Sequence, residues 1–182
     1  MLNSSSPPCI IPTRVSNLET ANTSEILHVY IMDDKAEKIE EFIVKKGVPV
    51  DVKNKLNQTA LFVAAFSGSE KTLIKLLQLG ADPNKGCGQF FRYTPVHGAC
   101  FSGSPRVLTY LVEAGGDLRR RDEFGRTPRD WAVGYLNRPA QRMEILAVIE
   151  SYRELATSGS SKAVDAFKKP KSKMLRSMAQ VS

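Results

Sequence analysis

The stretch Thr94-Pro95-Val96-His97-Gly98-Ala99-Cys100-Phe101-Ser102-Gly103 decides how this chain folds. Its threonine suits a helix N-cap, because the hydroxyl accepts a hydrogen bond from a free backbone N–H. Pro95 then falls at the first helical position, where a missing N–H costs nothing. Gly103 predicts the end of the helix, with a positive φ. The stretch therefore predicts a short helix with both ends marked in the sequence.

Two further copies of this pattern occur in the chain. They are Thr59-Ala60-Leu61-Phe62-Val63-Ala64-Ala65-Phe66-Ser67-Gly68 and Thr127-Pro128-Arg129-Asp130-Trp131-Ala132-Val133-Gly134. The three threonines are 35 and 33 residues apart. A second pattern repeats in phase with them, as Gly80-Ala81-Asp82-Pro83-Asn84 and Gly115-Gly116-Asp117-Leu118-Arg119, with a degenerate first copy at Gly47-Val48-Pro49-Val50-Asp51. Two patterns that share one period indicate a repeat protein.

The Thr-Pro-x-His-x-Ala motif at residues 94–99 resembles the signature of the ankyrin-repeat family. The resemblance covers roughly residues 25–153 and implies an all-α solenoid of about four helix-turn-helix repeats joined by short β-turn fingers. It places the repeat domain at 23–155, between a disordered N-terminal tail at 1–22 and a flexible basic tail at 156–182. The expected repeats are residues 23–51, 52–84, 85–119 and 120–153.

Helical periodicity assigns a core stripe to each outer helix. In the first repeat the pattern predicts helices over Glu25–Met32 and Ala36–Lys46, and it places His28 on the polar flank of the first helix. The residues expected to point inward from the later outer helices are Leu73, Leu76, Leu77, Val107, Leu108, Leu111, Val112, Met143, Ile145, Leu146 and Ile149.

The third finger is longer than its neighbours. Gly80 and Thr94 are 14 residues apart, whereas 12 residues separate Gly47 from Thr59 and Gly115 from Thr127. The extra residues lie within Gly86-Cys87-Gly88-Gln89-Phe90-Phe91-Arg92-Tyr93. No flanking sequence supplies a second apolar layer, so we expect at least one of Phe90 and Phe91 to be exposed.

Charge and cysteine usage exclude several classes of function. The chain has 182 residues and a formal net charge of +7, but residues 162–182 carry six Lys/Arg and one Asp, a net +5. The basic character therefore belongs to a tail, and we expect no nucleic-acid partner. The three cysteines are widely spaced and form no metal-ligand pattern with His28 or His97. No apolar run is long enough to span a membrane.

No catalytic constellation stands out, so the sequence predicts no enzyme, no cofactor and no metal. The resemblance implies that His97 ties a neighbouring finger to its helix. Asp33-Asp34 and Asp122-Glu123 are turn acids, expected to cap rather than to form an acid/base pair. Cys100 and Trp131 are expected in the core. Together with His97, the positions expected to be structural are Thr59, Thr94, Pro95, Gly80, Gly115, Thr127 and Pro128.

The binding candidates come from the family's concave face, which fingers and inner helices line. Aromatic side chains with arginine are enriched at the centres of protein interfaces. The expected partner-binding residues are Phe66, Phe90, Phe91, Arg92, Tyr93, Phe101, Phe124 and Arg126. For Phe66 and Phe101 the alternative is that the two rings stack on each other between repeats.

A closer resemblance is carried by Asn57–Ala65, Thr94–His97, Phe101–Gly103 and Ala114–Arg119. These segments are similar to the N-terminal ankyrin region of inactive, kinase-like proteins of germ-cell intercellular bridges. The resemblance implies a monomeric protein-binding scaffold module, cytoplasmic and at bridges or the midbody. The chain itself has no Gly-rich phosphate loop, Val-Ala-Ile-Lys, His-Arg-Asp or Asp-Phe-Gly motif.

Two other functions stay open. The run Lys168-Lys169-Pro170-Lys171 fits a short basic import pattern, which would suit a nuclear ankyrin adaptor, although a solubilising tail has the same composition. The chain could instead be the regulatory arm of a kinase-like protein encoded downstream.

Overall fold

The computed structural model describes residues 23–87 and 92–157. The predictions for both tails, and those for Phe90 and Phe91, lie outside these ranges. The described residues form eight α-helices, and α2 continues into a π-helical turn over Glu41–Lys45. The helices are α1 (Thr23–Met32), α2 (Ala36–Glu40), α3 (Ala60–Ser67), α4 (Glu70–Gln78), α5 (Pro95–Ser102), α6 (Pro105–Glu113), α7 (Pro128–Tyr135) and α8 (Pro139–Thr157).

The helices form two layers. The odd-numbered helices α1, α3, α5 and α7 pack side by side as the inner layer, and α2, α4, α6 and α8 pack in the same order as the outer layer. Each inner helix also packs on the outer helix of its own repeat. This is the ankyrin-repeat solenoid that the sequence predicts. Within the described ranges, no helix is both long and apolar enough to cross a membrane.

The inner helices begin as the motif predicts. The Thr59 hydroxyl accepts from Phe62 N at 3.2 Å, and the Thr127 hydroxyl accepts from Asp130 N at 3.3 Å. Pro95 and Pro128 occupy the first turns of α5 and α7. Because these prolines fix φ and remove one donor that would be unsatisfied, α5 and α7 each have a sharply defined start.

The helix ends use left-handed glycines. Gly103 ends α5 with φ 73°, and Gly80 and Gly115, which follow α4 and α6, have φ 90° and 97°. An L side chain is strained in this region of φ, whereas glycine is not. The glycines therefore let the chain reverse from each helix into the next segment.

The core lies between neighbouring repeats. Leu73, Leu76, Leu108, Leu111 and Ile145 from the outer helices are fully buried. Gly98 brings α3 and α5 together, because a Cβ there would lie 3.2 Å from Phe66 N and 3.3 Å from the Phe62 ring. A neighbouring repeat therefore supplies most of the surface that each repeat needs to bury.

Two predictions of side-chain position were wrong. His28 is 2% exposed, because it shares one face of α1 with the buried Leu27 and Ile31. Met143 is 68% exposed, whereas Ile145 is fully buried. Residues two apart on an α-helix point about 200° away from each other, so Met143 and Ile145 cannot face the same core.

Candidate protein-binding surface

The three fingers close with the same hydrogen bond. Asn54 N donates to Gln58 O at 3.0 Å in the second finger, and Asp122 N donates to Arg126 O at 2.9 Å in the fourth. In the third finger, Cys87 N donates to Tyr93 O at 2.8 Å. The two extra residues of the third finger therefore lie between Cys87 and Tyr93, and equivalent positions of all three fingers can be compared.

Asp122 organises the fourth finger. Its Oδ1 accepts from Phe124 N and Arg126 N at 3.0 and 2.9 Å, and its Oδ2 accepts from Trp131 Nε1 at 3.0 Å. The Arg126 guanidinium donates to the same Oδ2 at 2.8 Å. Although burial alone would raise it, the hydrogen bonds from Arg126 and Trp131 hold the pKa of Asp122 below its usual value. The acid that the sequence assigns to a turn is thus the centre of a buried network.

The Arg126 side chain is surrounded by aromatic rings. Its guanidinium carbon lies 4.6 Å from the centroid of Phe124 and 5.3 Å from that of Tyr135. It also donates a hydrogen bond to the Tyr135 hydroxyl. Arg126 is consequently half-buried, while Phe124 remains 60% exposed at the finger tip. Among the candidate aromatic residues that the structure describes, Phe124 is the most exposed.

The prediction that Tyr93 contributes its side chain to a partner surface was wrong. Tyr93 is 2% exposed. Its ring centroid lies 4.8 Å from that of Phe62 and 5.7 Å from that of Trp131. Because Phe62 occupies in α3 the position that His97 has in α5, the third finger is joined to the inner helix of the preceding repeat by rings instead of a histidine hydrogen bond.

Phe66 and Phe101 stack on each other, at 4.3 Å between centroids and 8° between ring planes. Phe66 is 9% exposed and Phe101 is half-buried. Tyr135 continues the row, 6.5 Å from Phe101. The two rings therefore stack on each other, as the alternative interpretation predicts, and Phe101 is the more exposed of the two residues.

Arg92 is exposed in the third finger, directly before Tyr93, and has φ 46°. The equivalent residues in the other fingers, Asn57 and Gly125, have φ 58° and 73°. Asparagine and glycine are the residue types that tolerate this conformation, and arginine is not one of them. The third finger therefore holds an arginine where the backbone favours a smaller residue.

His97 joins the third repeat to the fourth finger. Its Nδ1 accepts from Thr94 N at 3.1 Å, and its Nε2 lies 3.2 Å from Arg126 O. Because a backbone N–H can only donate and a carbonyl only accept, the proton of the neutral ring is on Nε2. Burial lowers the pKa of His97 to about 4. This arrangement has the geometry of a structural tie rather than of a catalytic base.

Sequence reasoning missed some exposed finger residues. Leu56 is 39% exposed and follows Asn54 by two residues, as Phe124 follows Asp122. Arg119 has 93% of its side chain exposed, and Arg120 and Arg121 are exposed beside it. Aligning the fingers on Thr59 and Thr127 would have identified Leu56, which precedes its threonine by three residues as Phe124 does, and the run of three arginines was visible in the sequence.

Comparisons with known proteins agree with this fold. A family model described as "Ankyrin repeat" matches residues 56–86. The chain is 40% identical over 159 residues, 81% of this chain, to the inactive serine/threonine-protein kinase TEX14 of Bos taurus. It is 39% identical over 155 residues, 85% of this chain, to the protein of the same name in Mus musculus.

The chain spans about 10% of the length of both kinase-like relatives. A third relative, ankyrin repeat and SOCS box protein 11 of Danio rerio, is 37% identical over 90 residues. That match covers 50% of this chain and 30% of the relative. All three similarities therefore concern part of a longer protein.

Proposed function

We infer from the chain's membership of the ankyrin-repeat family that it binds another protein and catalyses no reaction of its own. Ankyrin repeats are interaction modules, and the kinase-like relatives are named as inactive. The observation that carries the proposal is the fourth finger tip, where Phe124 is 60% exposed and Arg126 lies against its ring. An exposed aromatic ring held by a rigid network is suited to the centre of an interface.

The proposed contact surface consists of the finger tips and the exposed edge of the inner helices. Leu56, Arg92 and Phe124 belong to successive fingers, and Phe101 is half-buried at the end of α5. We expect Phe90 and Phe91, which lie outside the described residues, to contribute to the same surface, because they belong to the third finger in the sequence. Because the inner helices α3, α5 and α7 pack side by side, the three fingers rise from one side of the molecule.

We place this module in a kinase-like protein of germ-cell intercellular bridges, where it would act as a scaffold. The similarity to TEX14 over most of this chain supports this setting. A regulatory arm of an inactive kinase-like domain is the second candidate, supported by the relatives' names and by the small share, 10%, of their length that the match covers.

The test is affinity capture from testis extract with the purified chain, read by quantitative mass spectrometry. Phe124→Ser and the double variant Phe90→Ser/Phe91→Ser should each weaken capture of the same proteins by about tenfold, and both should stay folded. Met143→Ser is the matched control, because Met143 is exposed on the outer helix α8. Capture that survives both finger variants would contradict this surface, and unfolding of the double variant would make Phe90 and Phe91 structural.

A further inference from the structure

The third and fourth fingers carry a concentration of exposed arginines. We call Arg92, Arg119, Arg120, Arg121 and Arg129 the arginine face; all five side chains are exposed. Arg129 belongs to the first turn of α7, directly after the fourth finger. The positive charges of Arg129 and Arg121 both help to lower the pKa of the Asp130 carboxyl, so both guanidinium groups lie near Asp130.

Three aspartates of the same region accept hydrogen bonds from other residues of the protein. Asp122 is buried and paired with Arg126. Asp130 accepts from Thr127 N and the Thr127 hydroxyl at 2.8 and 2.7 Å, and Asp117 accepts from Arg119 N at 2.9 Å. The five exposed arginines outnumber the acids Asp117, Glu123 and Asp130 of the same region, so the face that a partner meets has a net positive charge.

The backbone at Arg92 adds an independent observation. Arg92 occupies the left-handed position that asparagine and glycine occupy in the other two fingers. Strain of this kind at an exposed position points to a use for the side chain, since a smaller residue would stabilise the turn better. Arg92 directly precedes Tyr93, whose ring packs on Trp131, and Trp131 in turn donates to Asp122 of the fourth finger.

We propose that the arginine face, with Phe124 beside it, binds an acidic segment of a partner protein. This proposal rests on the proposed function and specifies the chemistry of the partner. The planar guanidinium groups would pair with aspartate and glutamate carboxylates, and Phe124 would contact an aromatic or aliphatic side chain of the same segment. A protein segment is favoured over a nucleic acid, because ankyrin repeats are protein-interaction modules.

The experiment selects ligands without assuming a partner. Phage-displayed random linear peptides are selected on the immobilised full chain, and enriched peptides are synthesised with a fluorophore for polarisation titrations. Selected peptides should be rich in Asp and Glu with at least one aromatic or aliphatic residue, and affinity should fall as salt is raised. Replacing their acids by amides, or their apolar residue by serine, should each weaken binding.

Two charge-matched variants decide where the peptides bind. The combination Arg92→Gly, Arg120→Ser and Arg129→Ser should weaken binding about tenfold, whereas Lys45→Ser, Lys71→Ser and Arg153→Ser remove the same charge elsewhere and should have little effect. Arg92→Gly alone should weaken binding while raising the urea concentration at the unfolding midpoint. That opposite response separates a binding residue from one that supports the fold.

The outcomes distinguish the two proposals. If no peptide is enriched, the acidic-segment proposal is overturned, whereas the proposed function is decided by the capture from testis extract. If the enriched peptides are neutral or basic, or if both triple variants bind equally well, protein binding stands and the arginine face is wrong as its site. If a labelled single-stranded RNA binds as tightly as the peptides and responds to the same arginine variants, the face is a general polyanion site and the proposal is overturned.

Discussion

At the scale of single residues, the same finger turn is built on a neutral amide at Asn54 and on a charged carboxylate at Asp122. In both fingers the side-chain Oδ1 accepts from backbone N–H groups two and four residues later. Asn54 completes its finger by donating to Gln58 Oε1 at 3.0 Å, whereas Asp122 pairs with Arg126 and accepts from Trp131. The turn itself requires only the side-chain Oδ1 that both residues have. The negative charge of Asp122 is needed for its ion pair with Arg126 and strengthens its hydrogen bond from Trp131.

Replacing Asp122 by Asn should lower the free energy of unfolding by about 2–3 kcal/mol, because it leaves a half-buried Arg126 without its counter-charge. Urea denaturation at neutral pH measures the effect. The pKa of Asp122 is depressed in the folded state, so its contribution is present above the usual aspartate pKa and is lost as the pH falls through the folded value. Asn54→Asp is the matched control, and an equal loss for both variants would contradict the role of the Arg126 pair.

His97 should make the free energy of unfolding depend on pH in a higher pH range than Asp122 does. Its folded pKa of about 4 lies below the ordinary value of 6.5. Above pH 6.5 the ring is neutral in both states, and between 6.5 and 4 the unfolded chain binds the proton more tightly, so stability falls as the pH falls. Wild type should lose about 2 kcal/mol more than His97→Gln between pH 7 and pH 5. Parallel profiles for the two proteins would show that His97 is not held in this neutral form.

At the scale of elements, the helices are fixed by their ends. Gly80 and Gly115 have positive φ, and a Cβ at either position would meet no atom within 4 Å. The requirement for glycine there is therefore one of backbone conformation and not of space. Gly98 is the reverse case, since its φ is ordinary and the space for a Cβ is missing between α3 and α5.

Gly80→Val and Gly115→Val should each lower the free energy of unfolding by about 1–2 kcal/mol, because a β-branched residue is strained at positive φ. Thermal melts of both variants test this. The exposed Gly134, which lies in α7 and also has open space around its Cβ position, provides a control in Gly134→Ala, which should not destabilise α7. Unchanged melting midpoints for both valine variants would mean that the chain leaves α4 and α6 by another conformation.

At the scale of the molecule, the repeats are joined by different chemistry at each interface. Phe62 meets Tyr93 between the second and third repeats, and His97 meets Arg126 O between the third and fourth. Outside the inner layer, Lys75 pairs with Glu40 at 3.0 Å and Arg106 with Glu70 at 2.9 Å. The solenoid thus keeps one geometry while the contacts that hold neighbouring repeats vary.

The whole chain should bind no nucleotide. It lacks the glycine-rich phosphate loop and the metal-binding motifs of kinases, so no group is positioned to hold the phosphates of Mg-ATP. Isothermal titration of the purified chain with Mg-ATP should give no saturable heat. Saturable binding, abolished by chelating the magnesium, would contradict a purely protein-binding module.

The sequence by itself determined the repeat period, the helix starts and the helix ends. Thr59, Pro95, Gly103 and Gly115 act through their own backbone and their near neighbours in the chain, so a pattern of residue types is enough to recognise them. The stripes at Leu73, Leu76 and Leu77 follow equally from the helical period, since residues three and four apart share one face.

Only the tertiary structure decided where the finger side chains point. Tyr93 is buried because Phe62 and Trp131, from the repeats on either side, close over it, and no local pattern encodes that contact. Asp122 becomes a network centre for the same reason, since Trp131 reaches back to it from α7. A finger has no regular period of its own, so its inside and outside are set by the neighbouring repeats that pack against it.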